Sequence, residues 1–84
     1  MGYHKKEIER GTFGEFSKIK EEFLEAEDAI EQDNPIMLLV ELSDLLGAIE
    51  GYCLKNHNIS LQELINMKEA TKKAFNDGTR SSRD

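Results

Sequence analysis

Apolar positions recur along this chain with helical spacing. Phe16, Ile19, Phe23, Ala26 and Ile30 follow one another at intervals of four and three, the signature of one face of an amphipathic helix. Thr12-Phe13-Gly14-Glu15 has the spacing of a capping box, which predicts a helix start near Phe13. The pattern ends around Gln32-Asp33. Asn34-Pro35 then gives a second start signal, with Asn as N-cap and Pro at the first helical position. Residues Ile36 to Val40 are apolar on every side, which predicts burial on every side, in the interior or at a subunit interface. Leu38, Leu42, Leu45, Ile49 and Cys53 continue as the main stripe. Gly47 and Gly51 lie inside this helix, each at a cost of about 1 kcal/mol relative to Ala; close approach of another helix or of a ligand would compensate. Lys55-Asn56-His57-Asn58 reads as a helix end and loop.

A second capping box, Ser60-Leu61-Gln62-Glu63, opens a third helix that runs to about Asn76, where Asp77-Gly78 stops it. Its apolar stripe is Leu61, Leu64, Ile65, Thr71 and Phe75. No convincing strand, repeat or low-complexity segment is present. The expected architecture is all-α, with three main antiparallel helices that form a four-helix-bundle-type core through oligomerisation. Residues 1–12 read as a polar arm, 13–78 as the helical domain and 79–84 as a mobile tail.

Composition narrows the class. Eighty-four residues allow one domain with a small, marginal core. The net charge of -6 argues against nucleic acid or an anionic membrane as the main partner. It leaves a nucleotide open, because a bound metal reverses the local charge. A single cysteine, Cys53, excludes an intrachain disulfide and suggests a reducing compartment. No signal peptide is visible, and no apolar run approaches the roughly 20 residues of a membrane span. These features predict a cytoplasmic protein.

Two acidic pairs carry the candidate chemistry. Glu22 and Glu25 on the first helix, and Glu41 and Asp44 on the second, are each spaced i,i+3. That spacing puts both carboxylates of a pair on one helix face. On a helical wheel each pair projects from the edge of the packed seam, neither in the core centre nor on the solvated face. Antiparallel pairing of the two helices would bring the pairs together, and four converging anions need a cation. A solvated acidic face is the competing explanation, since a third of the chain is charged. Glu27 falls within the stripe drawn for the first helix, where a lysine partner or the site itself would have to accommodate it.

The run Glu21-Glu22-Phe23-Leu24-Glu25, followed after residues 26–40 by Glu41-Leu42-Ser43-Asp44-Leu45-Leu46, resembles the EExxE...ExxD pattern of the MazG-like all-α nucleoside triphosphate pyrophosphatases. Ala29-Ile30 and Leu45-Leu46 are also similar to that family. The resemblance covers roughly residues 13–76. The short single-domain form and the string Lys72-Lys73-Ala74-Phe75-Asn76-Asp77-Gly78 look most like phage-encoded members, which would place the protein in a host cytoplasm. The resemblance implies metal ligands at Glu22, Glu25, Glu41 and Asp44. Glu21 or Glu22 would serve as the proton acceptor, with Glu21 beside a metal-bound water. The implied cofactor is Mg2+, sometimes Mn2+. The implied reaction is hydrolysis of an NTP or dNTP between the α- and β-phosphates, giving a monophosphate and pyrophosphate. Separately from the resemblance, a three-helix chain with the apolar Ile36–Val40 segment is expected to form a homodimer or a tetramer built from dimers. Two departures stand out: Ser43 where the family often has Gly, and no clear equivalent of the basic segment of larger MazG proteins.

Other residues add less. Lys68 and Lys72 fall inside the third helix's apolar stripe, where they either snorkel, contact the phosphates of a substrate or neutralise the acidic cluster. Arg80 is a weaker candidate. His4 and His57 have no ligand-spaced partners, and Cys53 reads as a small core residue. Phe13, Phe16, Phe23 and Phe75 read as core. A non-catalytic helical module that binds a protein or senses a nucleotide is the alternative function. A plain acidic oligomer without ligand is a third.

Overall fold

The computed structural model describes residues 7–76, with side chains described as far as residue 73. It contains three helices in chain order: α1 (Phe16–Glu31), α2 (Pro35–His57) and α3 (Leu61–Asn76), and no strand occurs among the described residues. The predicted all-α class and helix order are borne out. The predicted stop at Asp77-Gly78, the tail and the positions of His4, Arg80 and the Phe75 side chain lie outside the described residues.

Helix α1 starts later than the capping-box spacing suggests. Gly14 adopts a φ of 92°, which only glycine takes readily. The chain therefore makes a turn over Thr12–Glu15, closed by the Glu15 N–H donating to the Thr12 carbonyl at 2.9 Å. The Thr12 side chain is not the cap: Glu15 is the N-cap residue and makes no side-chain cap bond. Instead the Thr12 N–H donates to Ser17 Oγ at 3.1 Å.

The α1–α2 connection is a tight, well-formed device. Asp33 takes a left-handed φ of 55°. Its N–H donates to the Ile30 carbonyl at 3.0 Å, and the Asn34 N–H donates to the Ala29 carbonyl at 3.1 Å. This is a Schellman arrangement, with Asp in the position glycine usually takes. Asn34 then caps α2, its Oδ1 accepting from the Met37 N–H at 3.0 Å, with Pro35 following. Such a short reversal folds α2 back along α1. The far end of the pair is fastened by Asn56, whose Nδ2 donates at 2.9 Å to both the Gly14 and Tyr52 carbonyls. α2 ends at His57, inside the segment Lys55-Asn56-His57-Asn58 that reads as helix end and loop, with Asn58 left-handed at φ 53°. The Ser60–Glu63 capping box forms in both directions. The Glu63 N–H donates to Ser60 Oγ at 3.1 Å, and the Ser60 N–H donates to Glu63 Oε1 at 2.8 Å.

The apolar face differs from the predicted one. In α1 the buried residues are Glu21, Glu22, Ala26, Asp28 and Ala29. In α2 they are Met37, Glu41, Ala48 and Gly51. Phe16, Phe23 and Ile30, drawn in the core stripe, are more than half exposed. Ile36 is 77% exposed and Leu39 67%, so within one chain only Met37 of the Ile36–Val40 run is buried. Of the expected α2 stripe, Leu38, Leu45, Ile49 and Cys53 are half-buried and Leu42 is exposed. The physical reason is that α1 and α2 meet through small side chains, chiefly Ala26, Ala29 and Ala48. Alanines allow close approach, and the larger residues flank the seam. Phe13, another expected core residue, is 66% exposed but lays its ring over Gly51. A Cβ at Gly51 would meet that ring, so the glycine is explained by this contact; a Cβ at Gly47 would meet nothing within 4 Å among the described residues. Phe16 packs edge-on against Tyr52, with ring centroids 5.6 Å apart. Glu27 is exposed, which removes the conflict over its place in the stripe. Among the described residues α3 packs lightly on α2 and does not approach α1, so the three helices are not mutual neighbours there.

A candidate metal centre between the first two helices

The seam between α1 and α2 is closed by carboxylates. Glu22, Glu41 and Asp44 each offer one oxygen, and these oxygens lie within 4.8 Å of one another. Glu21, Glu22 and Glu25 form a second such group that shares Glu22. The two acidic pairs predicted from spacing are thus brought together across two helices. Their depth is greater than the wheel suggested. Glu21, Glu22 and Glu41 are only 5–6% exposed, among the most buried side chains described, whereas Glu25 is half-buried and Asp44 exposed. The small alanine seam explains this: it leaves no bulky apolar residue between the acids.

The electrostatics follow from crowding. Burial, then hydrogen bonding and charge from Glu22, then the same from Glu41, push the Glu25 carboxyl up to about 8. Glu25 therefore holds its proton into the neutral range, because like charges this close cannot all ionise. Glu21 moves the other way. Burial opposes its charge, but the Gly11 N–H at 2.8 Å, Lys18 and Glu25 outweigh burial and hold it below the usual carboxylate range. Lys18 lies within 3.1 Å of both Glu21 Oε1 and Glu22 Oε2. Burial would lower its pKa, but the Glu22 and Glu21 bonds and charges prevail and raise it. After these contacts Glu22 Oε1 remains buried with no hydrogen-bond partner among the described residues. A buried acceptor left without a donor costs roughly 1–3 kcal/mol, and a cation at that oxygen would remove the cost.

The donor set tests well against a hard divalent cation. All the converging atoms are carboxylate oxygens, which suit Mg2+, Mn2+ or Ca2+ and not the softer metals. Two grooves flank the cluster. One, of about 300 Å³, is lined by Asn34, Ile36, Met37, Val40 and Glu41. The other, of similar volume, is lined by Glu9, Arg10, Ser17, Lys20, Glu21 and Leu24.

The remaining predicted site residues lie elsewhere. Lys68 and Lys72 are exposed on α3, and the Lys68 ammonium bonds its neighbour Glu69 at 2.5 Å. Since α3 does not reach α1, the chain does not itself bring these lysines onto the first helix's carboxylates. His57 is exposed and stacks edge-on to Tyr52. Sequence reading missed Lys18, which its i,i+3 and i,i+4 relation to Glu21 and Glu22 could have flagged. It also missed Asp28, only 2% exposed and bonded by Gln32 Nε2 at 2.8 Å; among so many acids, no signal singled it out.

No family model, curated protein or solved structure matches the chain.

Proposed function

We propose that this protein is a Mg2+-dependent nucleoside triphosphate pyrophosphohydrolase, converting an NTP or dNTP and water to the monophosphate and pyrophosphate. The observation that carries the reading is the convergence of Glu22, Glu41 and Asp44 from two helices within 4.8 Å. The buried, donorless Glu22 Oε1 supports it independently. So does the resemblance to the MazG-like pattern, whose ligand positions fall on these residues.

In this proposal Glu22, Glu25, Glu41 and Asp44 hold Mg2+, or Mn2+ in its place. The metal supplies charge neutralisation for a triphosphate. The chain's own residues do the rest. Glu21 is held ionised and oriented by Gly11 and Lys18, which suits it to accept a hydrogen bond from the attacking water. Glu22 has the donorless oxygen for the alternative role of proton acceptor. The groove beside Glu41 has apolar walls at Ile36, Met37 and Val40 and a polar Asn34 at its edge, a composition suited to a nucleobase. Lys68 and Lys72 would meet substrate phosphates only if an assembly or a movement of α3 carried them to the site.

The proposal includes self-association into a homodimer, or a tetramer of dimers, with a four-helix bundle at its core. Ile36, Leu39, Val40, Leu42, Leu46 and Leu54 form a largely exposed apolar flank of α2. Complete burial of such a side chain contributes about 1.5–3 kcal/mol. With roughly half of each still open to solvent, covering all six would contribute on the order of 5–9 kcal/mol before the costs of association. Gly47, with no contact among the described residues to explain it, lies on the same helix, where a partner could approach.

The experiment is direct. Purified protein is incubated with each of the eight common NTPs and dNTPs plus Mg2+, and pyrophosphate is measured. The proposal expects turnover of at least one, lost in Glu41→Gln and Asp44→Asn with the fold intact. No turnover together with no Mg2+ binding by calorimetry refutes it. Binding without turnover favours a nucleotide-sensing module on the same fold.

A further inference from the structure

Lys18 is the one described cation bonded to two members of the carboxylate cluster, and its geometry is unusually restrictive. Its ammonium sits 3.1 Å from Glu21 Oε1 and 3.1 Å from Glu22 Oε2. The side chain is 25% exposed, while those of Glu21 and Glu22 are 7% and 6% exposed. This is not a surface ion pair that solvent screens away. Glu21 cannot swing to release the lysine without also losing the Gly11 N–H. Gly11 in turn is pressed against the Ser17–Lys18 backbone, where a Cβ would collide with main-chain atoms. The lysine is therefore held from the arm side as well as from its own helix.

The consequence concerns Glu22. One of its oxygens, Oε2, is taken by Lys18, and the other, Oε1, is buried and donorless. A carboxylate so divided offers a metal one oxygen. Mg2+ and Mn2+ take single oxygens in octahedral geometry, whereas Ca2+ gains from carboxylates that bind through both oxygens at higher coordination number.

We propose that Lys18 is a positioning residue that sets metal selectivity, confining Glu22 to single-oxygen coordination and so disfavouring Ca2+ relative to Mg2+ and Mn2+. This rests on reading the carboxylates as a divalent-metal site, but not on the pyrophosphohydrolase activity.

The test is a calorimetric titration of Mg2+, Mn2+ and Ca2+ into the wild-type protein, Lys18→Met and Lys18→Arg, with folding checked by circular dichroism. The expected result is that Lys18→Met shifts the ratio of Ca2+ to Mg2+ affinity toward Ca2+ by tenfold or more. Lys18→Arg, which still donates to Glu22, keeps the wild-type ratio. A folded Lys18→Met protein with an unchanged ratio overturns the inference. A lysine that merely stabilised the helix would weaken all three ions alike. Infrared carboxylate bands of the wild-type protein, assigned by difference against Glu22→Gln, give a second measurement that needs no Lys18 variant. Single-oxygen coordination of Glu22 with both Mg2+ and Ca2+ is expected, and coordination through both oxygens overturns the inference. Failure to bind any of the three ions removes the metal site itself. Binding with an unchanged ratio removes only the role of Lys18.

Discussion

Glu25 makes the metal-free protein's stability fall with rising pH, opposite to the usual behaviour of a carboxylate. Its folded pKa of about 8 lies well above the ordinary 4.5. Between those values the folded state binds more protons than the unfolded one, so each step up in pH favours unfolding. The stabilising proton is fully present below about pH 4.5 and lost as pH passes through 8. Taken whole, a shift of this size corresponds to almost 5 kcal/mol. Glu25 is only half-buried, and solvent screening reduces this to about 1–2 kcal/mol. For a domain of this size that is a fall in Tm of roughly 5–15 °C between pH 5 and pH 9. The other shifted groups of the cluster do not confuse this window. The lowered pKa of Glu21 contributes stability that is lost only as pH falls below the ordinary carboxylate range. The raised pKa of Lys18 contributes stability that is lost only above about 10.5. The assay is thermal unfolding by circular dichroism in chelator-containing buffers, comparing wild type with Glu25→Gln, which keeps the shape and cannot ionise. The difference between the two proteins should widen from pH 5 to pH 9, with the variant the more stable at the alkaline end. A difference that stays flat, or a wild type that gains stability over the variant as pH rises, refutes the crowding argument.

Four further outcomes are expected. Mg2+ binding at pH 7 should displace most of a proton from Glu25, and far less at pH 9, measured by calorimetry in buffers of different ionisation enthalpy. Glu41→Gln should lower both Mg2+ affinity and turnover by roughly a hundredfold or more, since even partners outside the ligand set typically cost 10–100-fold. Gly11→Ala should destabilise the fold by about 1–3 kcal/mol in chemical denaturation, because the added carbon meets main-chain atoms that cannot yield cheaply. Leu39→Glu with Val40→Glu should convert a wild-type dimer or tetramer to monomer in light scattering at micromolar concentration, whereas a monomeric wild-type protein would contradict self-association.

The helices were legible because their signals are local. Asn34-Pro35 and the Ser60–Glu63 box act within four residues, and both formed as the sequence implied. The Thr12–Glu15 box failed because Gly14 took a conformation outside the helical region, and spacing alone carries no φ. The acidic positions were legible too, since i,i+3 spacing is a property of one helix. Their depth was not. Burial depends on which faces of α1 and α2 meet: the hydropathy pattern picked out Ala26 correctly but set it beside Phe16, Phe23 and Ile30, when the contact runs through Ala26 and Ala29. Ala29 scarcely registers beside phenylalanine in such a pattern. The link from Gly11 to Glu21 crosses from the arm to the helix, and no period in the sequence encodes it.

Ala26, Ala29 and Ala48 have no functional group to offer, yet they act as the gauge blocks of this protein. Their thickness sets how far apart the two helix backbones stand, and hence the width of the gap that the carboxylates must span. A single larger residue there, such as Ala29→Leu, would leave every acid in place along the chain and yet wedge the two halves of the cluster apart. Tolerance to substitution should therefore be lowest at positions with no chemistry of their own, and a survey of inactive variants would find the site's dimensions recorded in its alanines.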